Sequence, residues 1–60
     1  MILQVFKNIG DRLLVADAYT SMIAVYSGQL YPKKKAAGSI GGAVNGGTII
    51  LRNGYYERVK

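Results

Sequence analysis

The 60-residue chain contains no cysteine and no histidine, and it has three acidic residues. These absences exclude disulfides, thiolate chemistry, the usual general base and the usual ligands of zinc. The carboxylates are Asp11, Asp17 and Glu57, and the first two flank a predicted strand, roughly 20 Å apart at about 3.3 Å per residue. We therefore predict a protein that is not an enzyme, with no metal, no cofactor and no small-molecule substrate.

Long apolar runs are also missing. The uncharged stretches 18–32 and 36–51 are too short and too polar to span a bilayer. The N-terminus lacks the cationic region and apolar stretch of a signal peptide. We expect a cytoplasmic protein without a membrane partner.

The size of the chain sets a limit on its core. A domain of this length buries only about 60% of the surface that its unfolded chain exposes, and small domains often add disulfides, a metal or further subunits. Half of the residues are hydrophobic, and no disulfide is available. We therefore expect a single domain that forms a homo-oligomer, most simply a twofold dimer.

The first half of the chain is interpreted as two β-hairpins. Ile2–Phe6 and Arg12–Asp17 are apolar and are separated by turn residues at 7–11. A helix that begins at Asp11 is the alternative, but its apolar positions do not keep a 3.6-residue period as far as Thr20. Ser21–Lys33 predicts a second hairpin that turns at Ser27-Gly28.

The last thirteen residues, Thr48–Lys60, carry the strongest local signal. Asn53-Gly54 lies between two apolar segments, which is typical of a hairpin with a type I′ turn. The predicted cross-strand pairs are Arg52 with Tyr55, Leu51 with Tyr56, Ile50 with Glu57, and Ile49 with Arg58.

Between the second and third hairpins, residues 36–47 hold five of the eight glycines. Gly38, Gly42 and Gly46 are spaced four apart, as in close helix contacts within membranes, but glycine and Asn45 both weaken a helix. We predict a flexible loop here. The complete prediction is an all-β fold with five or six short antiparallel strands, arranged as a meander or small barrel and completed by oligomerisation.

Positive charge dominates the second half of the chain. The net charge is +5, and six of the eight basic residues lie from Lys33 onward. Such a surface attracts polyanions, and exposed tyrosines provide faces on which bases stack. We predict a nucleic-acid-binding protein with little sequence preference. Its phosphate contacts come from Lys33, Lys34, Lys35, Arg52, Arg58 and Lys60, and its stacking contacts come from Tyr31 and Tyr55.

Two other functions fit the composition. A small structural or inhibitory subunit, such as a viral protein, would act through protein contacts and would not need the lysine triplet. A membrane-active peptide is the third interpretation, based on the glycine spacing and the positive charge.

One segment is similar to a known family. Gly10–Asp17, followed by Thr20 and Ser27-Gly28, resembles the opening of the CsrA family of small dimeric RNA-binding proteins, which implies RNA binding by a β-rich dimer. The resemblance is confined to residues 10–28. Phe6-Lys7 stands where the family carries a basic pair, and the later strands and terminal helix of the family have no counterpart here.

Overall fold

The computed structural model describes residues 1–60 and contains two helices and a three-stranded antiparallel sheet. The prediction of an all-β fold is therefore wrong. A short 3-10 turn, Ile2–Gln4, precedes the main elements. These are β1 (Arg12–Leu14), α1 (Val15–Val25), α2 (Pro32–Asn45), β2 (Ile49–Arg52) and β3 (Tyr55–Arg58).

The C-terminal hairpin is confirmed. Strands β2 and β3 pair in the predicted register, with Arg52 opposite Tyr55 and Ile49 opposite Arg58. Asn53 has φ 52° and Gly54 has φ 79°, as the type I′ turn requires. The signal is reliable because it depends only on neighbouring residues.

The first predicted hairpin does not form. Ile2–Gln4 is a 3-10 turn, and Phe6, which follows it, is completely buried. β1 pairs with β3 instead, so that Arg12 lies opposite Glu57 and Leu14 lies opposite Tyr55. The resulting strand order is β1-β3-β2, with β3 in the centre.

The second predicted hairpin is wrong as well, because its first half belongs to α1. Ala18 and Met22 are buried one helical turn apart, and Val15, Tyr19 and Ile23 pack beside them. These positions follow the helical spacing once the window runs from 15 to 25. The prediction failed because it divided this segment at Ser21.

The predicted flexible loop is also wrong, since residues 36–45 belong to α2. Ala36, Ile40 and Ala43 recur at helical spacing and are buried in the core. Burial of this stripe compensates for the glycines, which disfavour a helix by about 1 kcal/mol each. Tertiary packing has overridden local propensity.

The two helices cover one face of the sheet. The core joins Phe6, the buried stripes of α1 and α2, and two sheet residues, Ile49 and Tyr56. The opposite face has no buried residue, and Leu14 on it is 46% exposed. The fold is thus a two-layer α+β arrangement with one uncovered sheet surface.

Candidate nucleic-acid interface

The structure distributes the predicted binding residues over three places. Lys33, Lys34 and Lys35 lie at the N-terminal end of α2, and we call them the lysine cluster; Tyr31 lies directly before the helix. Arg52 and Tyr55 lie on the uncovered face of the sheet. Lys60 lies near the other end of α2, and Arg58, the last residue of β3, contacts Lys60 and the N-terminal segment. The predicted residues therefore do not form one continuous site.

The lysine cluster occupies the first turn of α2. Pro32 is the first helical residue, a position that suits its fixed φ and its missing N–H group. The lysine residues at 33, 34 and 35 are all exposed. The ammonium group of Lys35 donates a hydrogen bond to the side-chain oxygen of Gln29 at 3.0 Å.

No negative charge balances this cluster. The first turn of α2 contains no acidic residue and has no side-chain cap. The one ion pair of the protein joins Arg52 and Glu57 and does not involve the lysines. The N-terminal end of a helix carries a partial positive charge, so each lysine there is unfavourable by a few tenths of a kcal/mol to about 1 kcal/mol. The cluster therefore destabilises α2 unless an anion is bound.

Backbone donors are also available at the same end of α2. The N–H of Lys35 donates to the carbonyl of Tyr31 at 3.0 Å, whereas the N–H groups of Lys33 and Lys34 have no acceptor within the protein. Such free N–H groups at the first turn of a helix are good donors to an anion. Ammonium and amide donors thus lie within one helical turn.

Tyr31 lies directly before this turn and is 66% exposed. Its φ of 55° places it in the left-handed region, which bulky residues rarely adopt. Its hydroxyl forms no hydrogen bond within the protein. The ring is therefore presented to solvent beside the lysines, where a base could stack on it.

Tyr55 is less available than predicted. It is half-buried, and the guanidinium of Arg12 lies 5.1 Å from the centre of its ring. Arg52 is held 3.9 Å from the carboxylate of Glu57. Since Arg12 already covers one side of this ring, Tyr31 is the better candidate for stacking.

Arg12 was not among the predicted binding residues. It reaches Tyr55 only because β1 pairs with β3, and this contact spans most of the chain. The predicted first hairpin paired the strand of Arg12 with Ile2–Phe6, and that pairing would not have brought Arg12 to Tyr55. No local sequence signal connects these two strands.

The side chain of Arg58 is hydrogen-bonded within the protein and is not free for a ligand in the way that the lysines are. Its guanidinium donates to the carbonyls of Phe6 at 3.2 Å, Lys7 at 2.8 Å and Lys60 at 2.7 Å. It therefore joins the N-terminal segment and the C-terminus to β3, and three of its five N–H donors are already used.

Lys60 lies at the C-terminal end of α2, where its ammonium is 3.5 Å from the carbonyl of Gly46. Because α2 has 14 residues, its two ends are about 21 Å apart at 1.5 Å per residue. A single phosphate cannot contact both Lys60 and the lysine cluster.

The surface around these residues is open. The protein has no pocket and no group of three potential metal ligands, and neither helix has the length and hydrophobicity that a membrane span requires. The lysine cluster is thus a set of exposed donors suited to an extended anionic ligand.

Comparison with known proteins gives no match to a family model, a curated protein or a solved structure.

Proposed function

We propose that the protein binds nucleic acid through the lysine cluster, with little sequence preference. The observation that supports this proposal is the accumulation of three exposed lysines in the first turn of α2 without a carboxylate partner. Phosphate groups would provide the missing negative charge. The proposal places this binding in the cytoplasm.

Phosphates would be held by the ammonium groups of the cluster and by the N–H groups of Lys33 and Lys34. These donors recognise the sugar–phosphate backbone, which is the same for every sequence. Tyr31 would stack on a base, and stacking accepts all four bases. Because a base must be unstacked from its neighbours to reach Tyr31, single-stranded targets are favoured over duplexes.

The salt dependence follows from the number of phosphates that are neutralised. Three lysines correspond to about three phosphates, so the log–log slope of affinity against salt is expected near −2 for single strands and near −3 for duplex DNA. Replacing Lys33, Lys34 and Lys35 by alanine should flatten this slope and weaken all sequences alike.

The test compares two variants of equal charge. Lys34→Glu and Lys7→Glu both change the net charge by two units, from +5 to +3, but only Lys34 belongs to the cluster. Binding of a labelled oligothymidine and a mixed-sequence RNA is measured by fluorescence anisotropy at several salt concentrations. We expect Lys34→Glu to lose about tenfold more affinity than Lys7→Glu, because one of about three phosphate contacts becomes a repulsion.

A folding defect would not imitate this result. A glutamate in the first turn of a helix is favourable by about 0.3–1 kcal/mol, so Lys34→Glu should be at least as stable as the wild type. Equal losses in the two variants would show that only net charge matters. No binding of the wild-type protein at low salt would refute the proposal.

A second function is supported by the exposed apolar side chains. Leu30 is 71% exposed, Ile9 is 67% exposed and Leu51 is 58% exposed. A structural or inhibitory subunit would use such residues in protein contacts. Its function would persist when Lys33, Lys34 and Lys35 are replaced by alanine, which distinguishes it from the first proposal.

A further inference from the structure

β2 is an edge strand with unpaired backbone groups. It lies at one side of the sheet, with β3 as its only neighbour. In a hairpin closed by a two-residue turn, Arg52 and Tyr55 exchange backbone hydrogen bonds, and so do Ile50 and Glu57. The backbone groups of Ile49 and Leu51 therefore point away from β3, toward solvent.

This edge lacks the features that usually prevent strand pairing. Residues 49–51 are Ile-Ile-Leu, with no charge, no proline and no bulge, and Leu51 is 58% exposed. The edge formed by β1 is different. It has three residues and passes directly into α1, with the N–H of Val15 bound to the carbonyl of Gly54 at 3.2 Å.

The outward groups of β2 are complementary to themselves. If two copies pair antiparallel with Ile50 opposite Ile50 of the partner subunit, each Ile49 lies opposite the partner's Leu51. Every outward N–H and C=O of these residues then finds an acceptor or a donor. A register centred on Leu51 would place Ile49 opposite the partner's Asn53, and a register centred on Ile49 would place Leu51 opposite the partner's Gly47. Asn53 and Gly47 have positive φ and lie in turns, so half of the outward groups would lack a strand partner.

The side chains agree with the same register. Leu51 comes to lie beside the partner's Ile49, which would cover an exposed leucine. Arg52 lies opposite the partner's Thr48, so the two Arg52 residues are four positions apart along the pairing and about 13 Å from each other. In this register, apolar side chains lie opposite each other at the centre of the pairing, and the two Arg52 residues lie at its ends.

We propose that two copies of this chain pair through β2 and form a continuous six-stranded sheet with a twofold axis at Ile50. Each copy offers one such edge, so the assembly closes at the dimer. The pairing uses none of the residues of the lysine cluster, and it can be tested independently of nucleic-acid binding.

The first experiment uses a single introduced cysteine, since the chain has none of its own. Ile50 and the partner's Ile50 form a non-hydrogen-bonded pair, in which Cα atoms are about 4.5 Å apart, within the range that a disulfide can bridge. Ile50→Cys should form a covalent dimer under mild oxidation. Leu30→Cys is the control, because Leu30 is more exposed but lies outside the edge.

The second experiment changes the two exposed leucines in the same way. Leu51→Lys places two positive charges at the centre of the pairing, whereas Leu30→Lys adds the same charge elsewhere. Sedimentation velocity from micromolar to millimolar protein should show a dimer for the wild type and Leu30→Lys. The dissociation constant of Leu51→Lys should be at least tenfold higher.

A third variant separates pairing from folding. Leu51→Pro removes an N–H group that points away from β3, so the hairpin itself keeps its hydrogen bonds. Circular dichroism should match the wild type while dimerisation is lost. The proposal is overturned by a monomeric wild type, by equal cross-linking at positions 30 and 50, by equal dissociation of the two lysine variants, or by assembly that grows beyond the dimer.

Discussion

The three glycines inside α2 provide a strong test of the structure. An ideal Cβ placed on Gly38, Gly41 or Gly42 has no atom within 4 Å apart from the adjoining backbone of the helix itself. None of them has a positive φ, so alanine fits both the space and the backbone. The helix therefore does not require glycine at these positions, and the triple variant Gly38→Ala, Gly41→Ala, Gly42→Ala should be more stable than the wild type.

The magnitude follows from helix propensity. Alanine is favoured over glycine by about 0.8–1.0 kcal/mol at an interior helix position, so three substitutions should raise the free energy of unfolding by about 2–3 kcal/mol. The unfolding entropy of a 60-residue chain is about 2.1 cal/mol/K per residue, so that 1 kcal/mol shifts Tm by about 8 °C. The expected increase in Tm is thus roughly 16–24 °C.

The assay is urea and thermal unfolding followed by circular dichroism at the helical band. Gly54→Ala is the matched control, because it also has free space around its Cβ but has φ +79°. Left-handed backbone costs an alanine about 1–2 kcal/mol, so this variant should be less stable than the wild type. The same chemical change therefore has opposite signs at the two locations.

A triple variant that is no more stable than the wild type would contradict this prediction. Such a result would mean that residues 38–42 are not helical. Separate single variants would then identify the position responsible.

Two further predictions concern Arg58 and Tyr56. Arg58→Ala should lower the free energy of unfolding by about 2 kcal/mol, because three carbonyls lose a charged donor; urea unfolding measures this, and an unchanged midpoint would return Arg58 to the candidates for phosphate binding. Burial raises the pKa of Tyr56 above its ordinary value of 10.0, and the neighbouring Tyr19 adds to the rise. Since the raised pKa favours the protonated phenol in the folded state, stability is complete below about pH 10 and falls as the pH rises toward the folded pKa. Tyr56→Phe should flatten this alkaline loss in urea unfolding at several pH values, whereas Tyr31→Phe, at an exposed position, serves as the control; equal behaviour of the two variants would contradict the prediction.

The turns of this protein could be predicted more reliably than the elements that they connect. A turn does form where the sequence indicated one at 7–11, with Gly10 at φ 96° and the N–H of Asn8 bound to the carboxylate of Asp11. Gly28 also has a positive φ, at 85°. It follows a helix, however, whereas a strand was expected. Turn residues reveal a change of direction, since their backbone preference is local, but they do not specify the element on either side.

Part of the candidate surface follows directly from the order of residues in the chain. Lys33–Lys35 and Tyr31 are exposed together because they are adjacent in the chain. The grouping with Arg52, Arg58 and Lys60 did not follow, since it depends on where distant strands and helix ends lie. The basic residues are visible in the sequence, but the hydrogen bonds that engage Arg58 could not be predicted from it.

Local sequence is sufficient for the C-terminal hairpin, because Asn53-Gly54 accepts the positive φ values of its turn and the flanking residues follow in register. The absence of cysteine also excludes disulfides and thiolate chemistry. The pairing of β1 with β3 and the helical state of the glycine-rich segment, in contrast, arise from long-range packing. Both depend on burial against distant residues: Leu13 lies opposite Tyr56, and Ala36, Ile40 and Ala43 share one core with α1. Propensity acts between neighbours in sequence, whereas this core gains its stability from contacts that form only when the whole chain has folded.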